Sequence, residues 1–188
     1  MGILATEGIS KTAIREENDY YATDPKAMEL LLKHETFDLN IWEPACGEGN
    51  LSEVLKAHGH NVYSTDLIDR GYPDETFDFL ESNNKWFGDI ITNPPFKYTT
   101  EFILKSLDSV DTGAKVAMFL KINHLSGKKR YQDIYLKTPP YRVYIFSGRV
   151  ACAKNNIPEL FKRGAMTYCW MIWEKGKFGP TELKWIYD

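Results

Sequence analysis

From residue 39 to about residue 147 the chain alternates short apolar, β-branched runs with amphipathic stretches, and few folds accommodate that alternation. Strands are predicted at 39–45, 62–67, 89–92, 116–121, 142–146 and 168–173, with a weaker one at 76–80. Helices are predicted at 25–34, 50–58, 99–110 and 128–137. Asp24 before Pro25 marks a helix start, because the carboxylate can accept a first-turn N–H and proline's fixed φ suits the first helical position. Parallel neighbours need a long crossover, which the amphipathic stretches provide, so an α/β chain with a mostly parallel sheet and helices on both faces is expected. No helix is predicted between Phe146 and Tyr168, which makes the returning strand antiparallel. The expected sheet is therefore seven-stranded, with one antiparallel strand near the C-terminus.

The chain has 188 residues, 43% of them hydrophobic, enough to bury one core. A polar segment, 1–18, is expected to precede a single domain spanning 19–188. No apolar run is long enough to cross a bilayer, and the N-terminal stretch lacks the apolar core of a signal peptide. Cys46, Cys152 and Cys169 are widely spaced, and the histidines show no metal-ligand spacing, so neither a disulfide framework nor a metal site is expected. This reads as a protein of a reducing, cytoplasmic compartment.

The net charge of −3 conceals an asymmetry. Between Lys121 and Arg163, ten basic residues face only Asp133 and Glu159, so this segment carries about +8 and the remainder about −11. A cationic stretch of this kind suits a polyanion, and the acidic remainder suits a cationic ligand.

The first long strand runs into Glu43-Pro44-Ala45-Cys46-Gly47-Glu48-Gly49-Asn50, and a helix follows. In a doubly wound sheet this turn is where an adenosine-containing ligand sits, with Gly47 and Gly49 permitting a tight turn and a close backbone approach. Ser52 stands where a dinucleotide fingerprint has its third glycine, which argues against a pyrophosphate. Asp66 closes the second strand at the spacing of a ribose-binding acid, and Asp78 is placed to meet an adenine amine. Glu43, Glu48, Asp66 and Asp78 make an acidic pocket with no phosphate-loop lysine, a better match to a sulfonium than to a triphosphate. S-adenosyl-L-methionine is the expected cofactor.

The strand at 89–92 stops at Asn93-Pro94-Pro95-Phe96, since proline has no N–H to donate to a ladder. Two prolines hold the backbone open. The Asn93 side-chain oxygen and the Pro94 carbonyl can then accept both hydrogens of a planar amine, while Phe96 stacks on its ring. Orientation of that amine toward a methyl group requires no Ser, His or Cys nucleophile.

Asn93–Phe96 resembles the (Asp, Asn or Ser)-Pro-Pro-(Tyr, Phe or Trp) motif of class I S-adenosylmethionine-dependent amino-methyltransferases, and Glu43–Asn50 resembles their cofactor loop. Asp19-Tyr20-Tyr21-Ala22-Thr23-Asp24-Pro25 resembles the Y-x-T-P segment of adenine-specific DNA methyltransferases, with Asp24 inserted before the proline. The closing segments 141–149 and 168–173 are similar to those of small phage- or prophage-borne enzymes of this kind. The resemblance, which spans about residue 19 to the end, implies a Rossmann-like methyltransferase fold. It also implies methyl transfer to N6 of a flipped adenine, with Tyr21, Thr23, Glu43, Pro44, Ala45, Cys46, Gly47, Asp66, Leu67, Asp78, Phe79 and Asn93 at the cofactor. Asn93, Pro94, Pro95 and Phe96 would be catalytic.

A separate target-recognition domain is not expected. Lys97, Lys128, Lys129, Arg130, Arg149, Lys154, Lys162 and Arg163 are expected to bind phosphates, which give affinity with little sequence information. A relaxed recognition sequence, or a specificity or partner subunit, follows from that. DNA is the expected partner, ahead of RNA. The same motif also serves methyltransferases of RNA bases or of a protein glutamine amide, and a non-catalytic nucleic-acid-binding subunit would keep the fold. Intact Asn93 and Pro94 argue against the last.

Overall fold

The computed structural model describes residues 21–154 and 166–187. In chain order these form β1 (Tyr21–Thr23), α1 (Pro25–Leu32), β2 (Asn40–Glu43), α2 (Asn50–Ala57), β3 (Asn61–Asp66), β4 (Glu75–Thr76) and β5 (Asp89–Thr92). There follow α3 (Thr99–Ser109), β6 (Lys115–Lys121), a single turn α4 (Lys128–Arg130) that passes into a π-helical turn (Tyr131–Tyr135), and β7 (Arg142–Phe146). β8 (Cys152–Lys154), β9 (Tyr168–Glu174) and β10 (Glu182–Ile186) complete the order. Asp24 caps α1 as its sequence implies, its Oδ1 accepting the Lys26 N–H at 3.0 Å.

The central sheet runs β10-β7-β9-β6-β5-β2-β3-β4. β9 is antiparallel to both β6 and β7, and the other pairings are parallel. The sheet thus has eight strands where seven were expected, and the additional one is β10. Its Glu-Leu-Lys-Trp-Ile sequence pairs with β7 at the sheet edge, where four of five side chains stay exposed, so no burial pattern announces it. The strand expected at 76–80 is confined to Glu75–Thr76, because the Asp78 Oδ1 accepts the Leu80 N–H at 2.9 Å and turns the chain. The helix expected at 128–137 is one α turn and one π turn. β8 lies in a stretch read as loop, and pairs antiparallel with β1 to make a separate two-stranded ribbon.

Period-two alternation sends each central strand to two cores. Ile41, Ile91, Phe119, Tyr144, Trp170 and Ile172 pack with α1 and α2 on one face. Trp42, Ile90, Met118, Val143, Met171 and Trp173 pack with α3 and the π turn on the other. The buried indoles keep their N–H groups satisfied: Trp170 donates to Ala27 O at 3.0 Å, Trp173 to Thr138 O at 2.9 Å and Trp42 to Thr65 Oγ1 at 2.9 Å.

A charged knot ties the layers at the end of the sheet away from the β2–α2 turn. Glu35, buried, accepts from Lys115 Nζ at 2.6 Å and Arg142 Nη1 at 2.6 Å, and from the Tyr141 hydroxyl at 2.9 Å. Burial alone would raise its pKa, but the bonds from Lys115, Arg142 and Tyr141 outweigh that and hold it below the usual carboxylate range. Arg142, one of the ten cations of the basic segment, is therefore committed to structure. Glu35→Ala strands two half-buried cations, and a loss of about 3 kcal/mol is expected, read as a lower denaturant midpoint at unchanged slope. In the wild type this contribution is complete above the unfolded-state pKa of about 4.3 and is lost as pH falls through the lower folded value.

Candidate cofactor and amine site

The strand order reverses between β2 and β5, and this switch point opens a crevice at the C-terminal ends of the parallel strands. A cavity of about 640 Å³ occupies it, walled by the segments that leave β2, β3, β4 and β5 and by β1. Proline ends β2 after Glu43, and the chain turns through Gly47 (φ 57°) and Gly49 (φ 84°) into α2. At Gly49 the need for glycine is packing as well as φ: a Cβ there would sit 2.3 Å from the Tyr72 ring. The Tyr72 hydroxyl in turn donates to Glu53 on α2.

Two strand ends are tied together at this turn. The Cys46 N–H donates to Thr65 O at 3.0 Å, and the Gly47 N–H donates to Asp66 Oδ2 at 2.8 Å. Gly47, expected at the cofactor, is not part of the cavity lining, and its N–H is bonded to Asp66. Asp66 does line it, nearly buried, but its other oxygen accepts the Ile68 N–H at 3.0 Å and Arg70 Nη1 at 3.1 Å. A ribose hydroxyl would share or displace the Arg70 contact. Glu48 is exposed and outside the lining, so it drops out of the acidic pocket.

Glu43 is enclosed at the foot of the cavity. Its Oε2 accepts the Ser52 hydroxyl, which lies 2.7 Å from that of Ser64. Burial pushes its pKa up to about 8, against the smaller opposing effect of the Ser52 bonds. Burial also raises the Cys46 thiol, with the Glu43 and Asp66 charges acting the same way, so Cys46 is a packing residue and no nucleophile.

The amine side of the cavity starts where β5 ends. Asn93 Nδ2 donates to Tyr21 O at 3.0 Å and lies 3.7 Å from Cys152 Sγ, whereas Asn93 Oδ1 is buried without a hydrogen-bond partner. An acceptor left alone in this way is costly unless a donor arrives. Phe96 opens a 3₁₀ turn (Phe96–Tyr98), its ring 6.0 Å from that of Tyr21 and tilted by 31°. Lys121 Nζ stands 4.3 Å from the Phe96 centroid, so a cation already covers the ring there.

Fourteen expected cofactor or amine residues are gathered on this one lining: Tyr21, Thr23, Glu43, Pro44, Ala45, Cys46, Asp66, Leu67, Asp78, Phe79, Asn93, Pro94, Pro95 and Phe96. Phe79 sits edge-on to Trp42, centroids 5.0 Å apart, which makes it a wall of the core as well as of the cavity. Of the expected phosphate-binding residues, Lys97 lines the cavity, while Lys128, Lys129 and Arg149 are exposed in segments leaving the same end of the sheet. Arg130 is instead turned into its own loop, Nε donating to Ser126 O at 2.8 Å, and Lys129 pairs with Asp133 at 2.7 Å. Lys154 contributes its backbone to β8, opposite Tyr21, and Lys162 and Arg163 lie outside the described residues. Cys152, Lys121 and Arg70 were not expected at the site. Only Arg70, four residues after Asp66, carried a local signal.

By sequence the chain matches no family model and no curated protein. Its fold is shared with solved class I methyltransferase structures. One is a protein of Listeria monocytogenes described as a class I S-adenosylmethionine-dependent methyltransferase, with TM-score 0.57, 14% identity, and coverage of 84% of this chain and 61% of that one. A protein of Agrobacterium tumefaciens described as an O-methyltransferase gives 0.61, 11% identity, and 86% and 85% coverage. A protein of Vibrio vulnificus described as the modification subunit of a type I restriction enzyme gives 0.59, 14% identity, and 92% and 48% coverage. The chain thus spans less than two thirds of the Listeria protein and about half of the Vibrio one. No described helix is long and apolar enough to cross a membrane.

With its pKa raised, Glu43 binds more protons folded than unfolded between about pH 4.3 and 8. Stability therefore falls as pH rises through that window. Glu43→Gln, which keeps an acceptor for Ser52, is expected to flatten the decline in melting temperature between about pH 6 and 8.

Proposed function

We propose that this chain transfers a methyl group from S-adenosyl-L-methionine to the exocyclic N6 amine of adenine in DNA. The observation that carries the reading is the Asn93 amide of the cavity lining, whose N–H side is taken by Tyr21 O and Cys152 Sγ while its buried Oδ1 lacks a donor. An amine hydrogen is the donor that such an oxygen fits.

The cavity also fits the cofactor. Its volume of about 640 Å³ suits an adenosyl ligand, and Asp78 and Glu81 in its lining, with Glu43 able to ionise beside a cation, favour positive charge. When bound, S-adenosyl-L-methionine supplies an electrophilic methyl carbon. Glu43, Asp66 and Asp78 would hold the ligand, with Tyr21 and Thr23 closing the side toward β1. Asn93 Oδ1 and the Pro94 carbonyl would accept the two amine hydrogens, drawing the nitrogen lone pair out of the ring and aiming it along the transfer line. Phe96 would stack on the base and offset part of the cost of flipping it. As the nitrogen–carbon bond forms and the carbon–sulfur bond breaks, the nitrogen becomes cationic, and its surplus proton leaves to water.

DNA is supported by the exposed Lys128, Lys129 and Arg149 at the same end of the sheet, and by Lys97 in the cavity wall. The segment resembling Y-x-T-P and the Vibrio structure named as a restriction-enzyme modification subunit support it too. These cations contact phosphates, so sequence choice would fall to a specificity or partner subunit or stay relaxed.

The test is transfer of label from S-adenosyl-L-methionine to unmethylated duplex DNA, single-stranded DNA, RNA and protein in parallel. Methyladenine in DNA is expected, and label confined to RNA or protein would replace the substrate. Asn93→Ala is expected to lower kcat by about 100-fold or more while cofactor and DNA binding persist; unchanged turnover would remove the mechanism. DNA affinity should fall steeply with salt, a slope that Lys128→Ala with Lys129→Ala makes shallower by about two phosphate contacts.

A further inference from the structure

Cys152 comes from a segment remote in sequence from the Asn93 turn, yet meets it. β8 pairs with β1 so that Cys152 stands opposite Thr23, and the Asn93 side chain reaches both strands of this ribbon. The Cys152 sulfur lies 3.7 Å from Asn93 Nδ2, with the side chains of Tyr168 and Thr23 beside it. It is the meeting point of β1, β8, β9 and the turn after β5.

A primary amide is nearly symmetric in shape, so its partners decide which end faces a cavity. Tyr21 O and Cys152 Sγ are both acceptors here, and together they can satisfy both N–H bonds of Asn93 in one orientation. The flipped amide would set Oδ1 against the Tyr21 carbonyl, which has no hydrogen to give, and would offer the cavity an N–H instead of an oxygen. An N–H cannot accept a hydrogen from an amine.

We propose that Cys152 is a positioning residue of the amine site: its sulfur, set opposite Thr23 by the pairing of β8 with β1, keeps the Asn93 amide turned so that Oδ1 is left for the substrate amine. This rests on the methyl-transfer reading above. The role is polar, which separates it from packing. Cys152→Ser keeps an acceptor at the position, and Cys152→Val fills the space without one.

The experiment compares both variants with the wild type for kcat, KM, cofactor affinity and melting temperature. Cys152→Val is expected to lower kcat about tenfold with cofactor affinity held, and Cys152→Ser to retain most of it. Wild-type kcat in Cys152→Val with a loss in Cys152→Ser would mean that the thiol only packs, and would overturn the proposal. The side-chain amide ¹⁵N–¹H signals of Asn93 give a readout independent of turnover. They should shift in Cys152→Val and stay near wild type in Cys152→Ser. An unmoved amide in Cys152→Val overturns the lock whatever the activity, whereas a shifted amide in a chain that transfers no methyl leaves the lock standing and removes the reading it was built on.

Discussion

Because β2 is hydrogen-bonded on both sides by parallel strands, β3 and β5, its C-terminal end and theirs must stop along one edge, and the whole site is assembled there. Parallel pairing sends the chain out to opposite faces on either side of β2, so the turns leaving β2 and β5 separate and a crevice opens between them. The bonds from Cys46 N–H to Thr65 O and from Gly47 N–H to Asp66 then brace one wall. Pro94 and Pro95 end the other, since β5 cannot be extended through residues that have no N–H.

Two buried glutamates show how differently one fold can treat the same side chain. Glu35 sits among Lys115, Arg142 and Tyr141 and is held ionised, joining the helical layer to β6 and β7. Glu43 is bonded by the hydroxyl and the backbone N–H of Ser52 and, among the described residues, by no cation, and burial drives it toward the neutral acid. Counting carboxylates therefore overstates the negative charge of the cavity, because burial pushes the Glu43 pKa up to about 8 and Asp66 is paired with Arg70. A cation arriving near Glu43 would favour its ionisation, which makes the site responsive to its ligand's charge.

The ribbon of β1 and β8 has a different physical character. It adds little to either core, yet it gives Asn93 both of its N–H acceptors and sets Cys152 beside Thr23. The β1 and β5 sides of the cavity thus share one side chain, Asn93.

Much of this was legible in the residues themselves. Alternation of period two with amphipathic stretches determined the parallel sheet and its two cores, because burial on both faces demands unbroken apolar runs such as Ile90-Ile91 and Val116–Leu120. Prolines and glycines marked where strands must end, and those ends carry the site. Only the tertiary structure decided what each polar group there does. Gly47 looked like a ligand contact and is taken by Asp66; Glu48 looked like pocket charge and faces solvent; Arg130 looked like a phosphate ligand and holds its own loop. β10 and β8 were invisible because an edge strand and a short ribbon need little apolar pattern to pair. Cys152 reaches Asn93 across 59 residues of chain, and no local rule of spacing encodes a contact whose geometry exists only once the strands have paired.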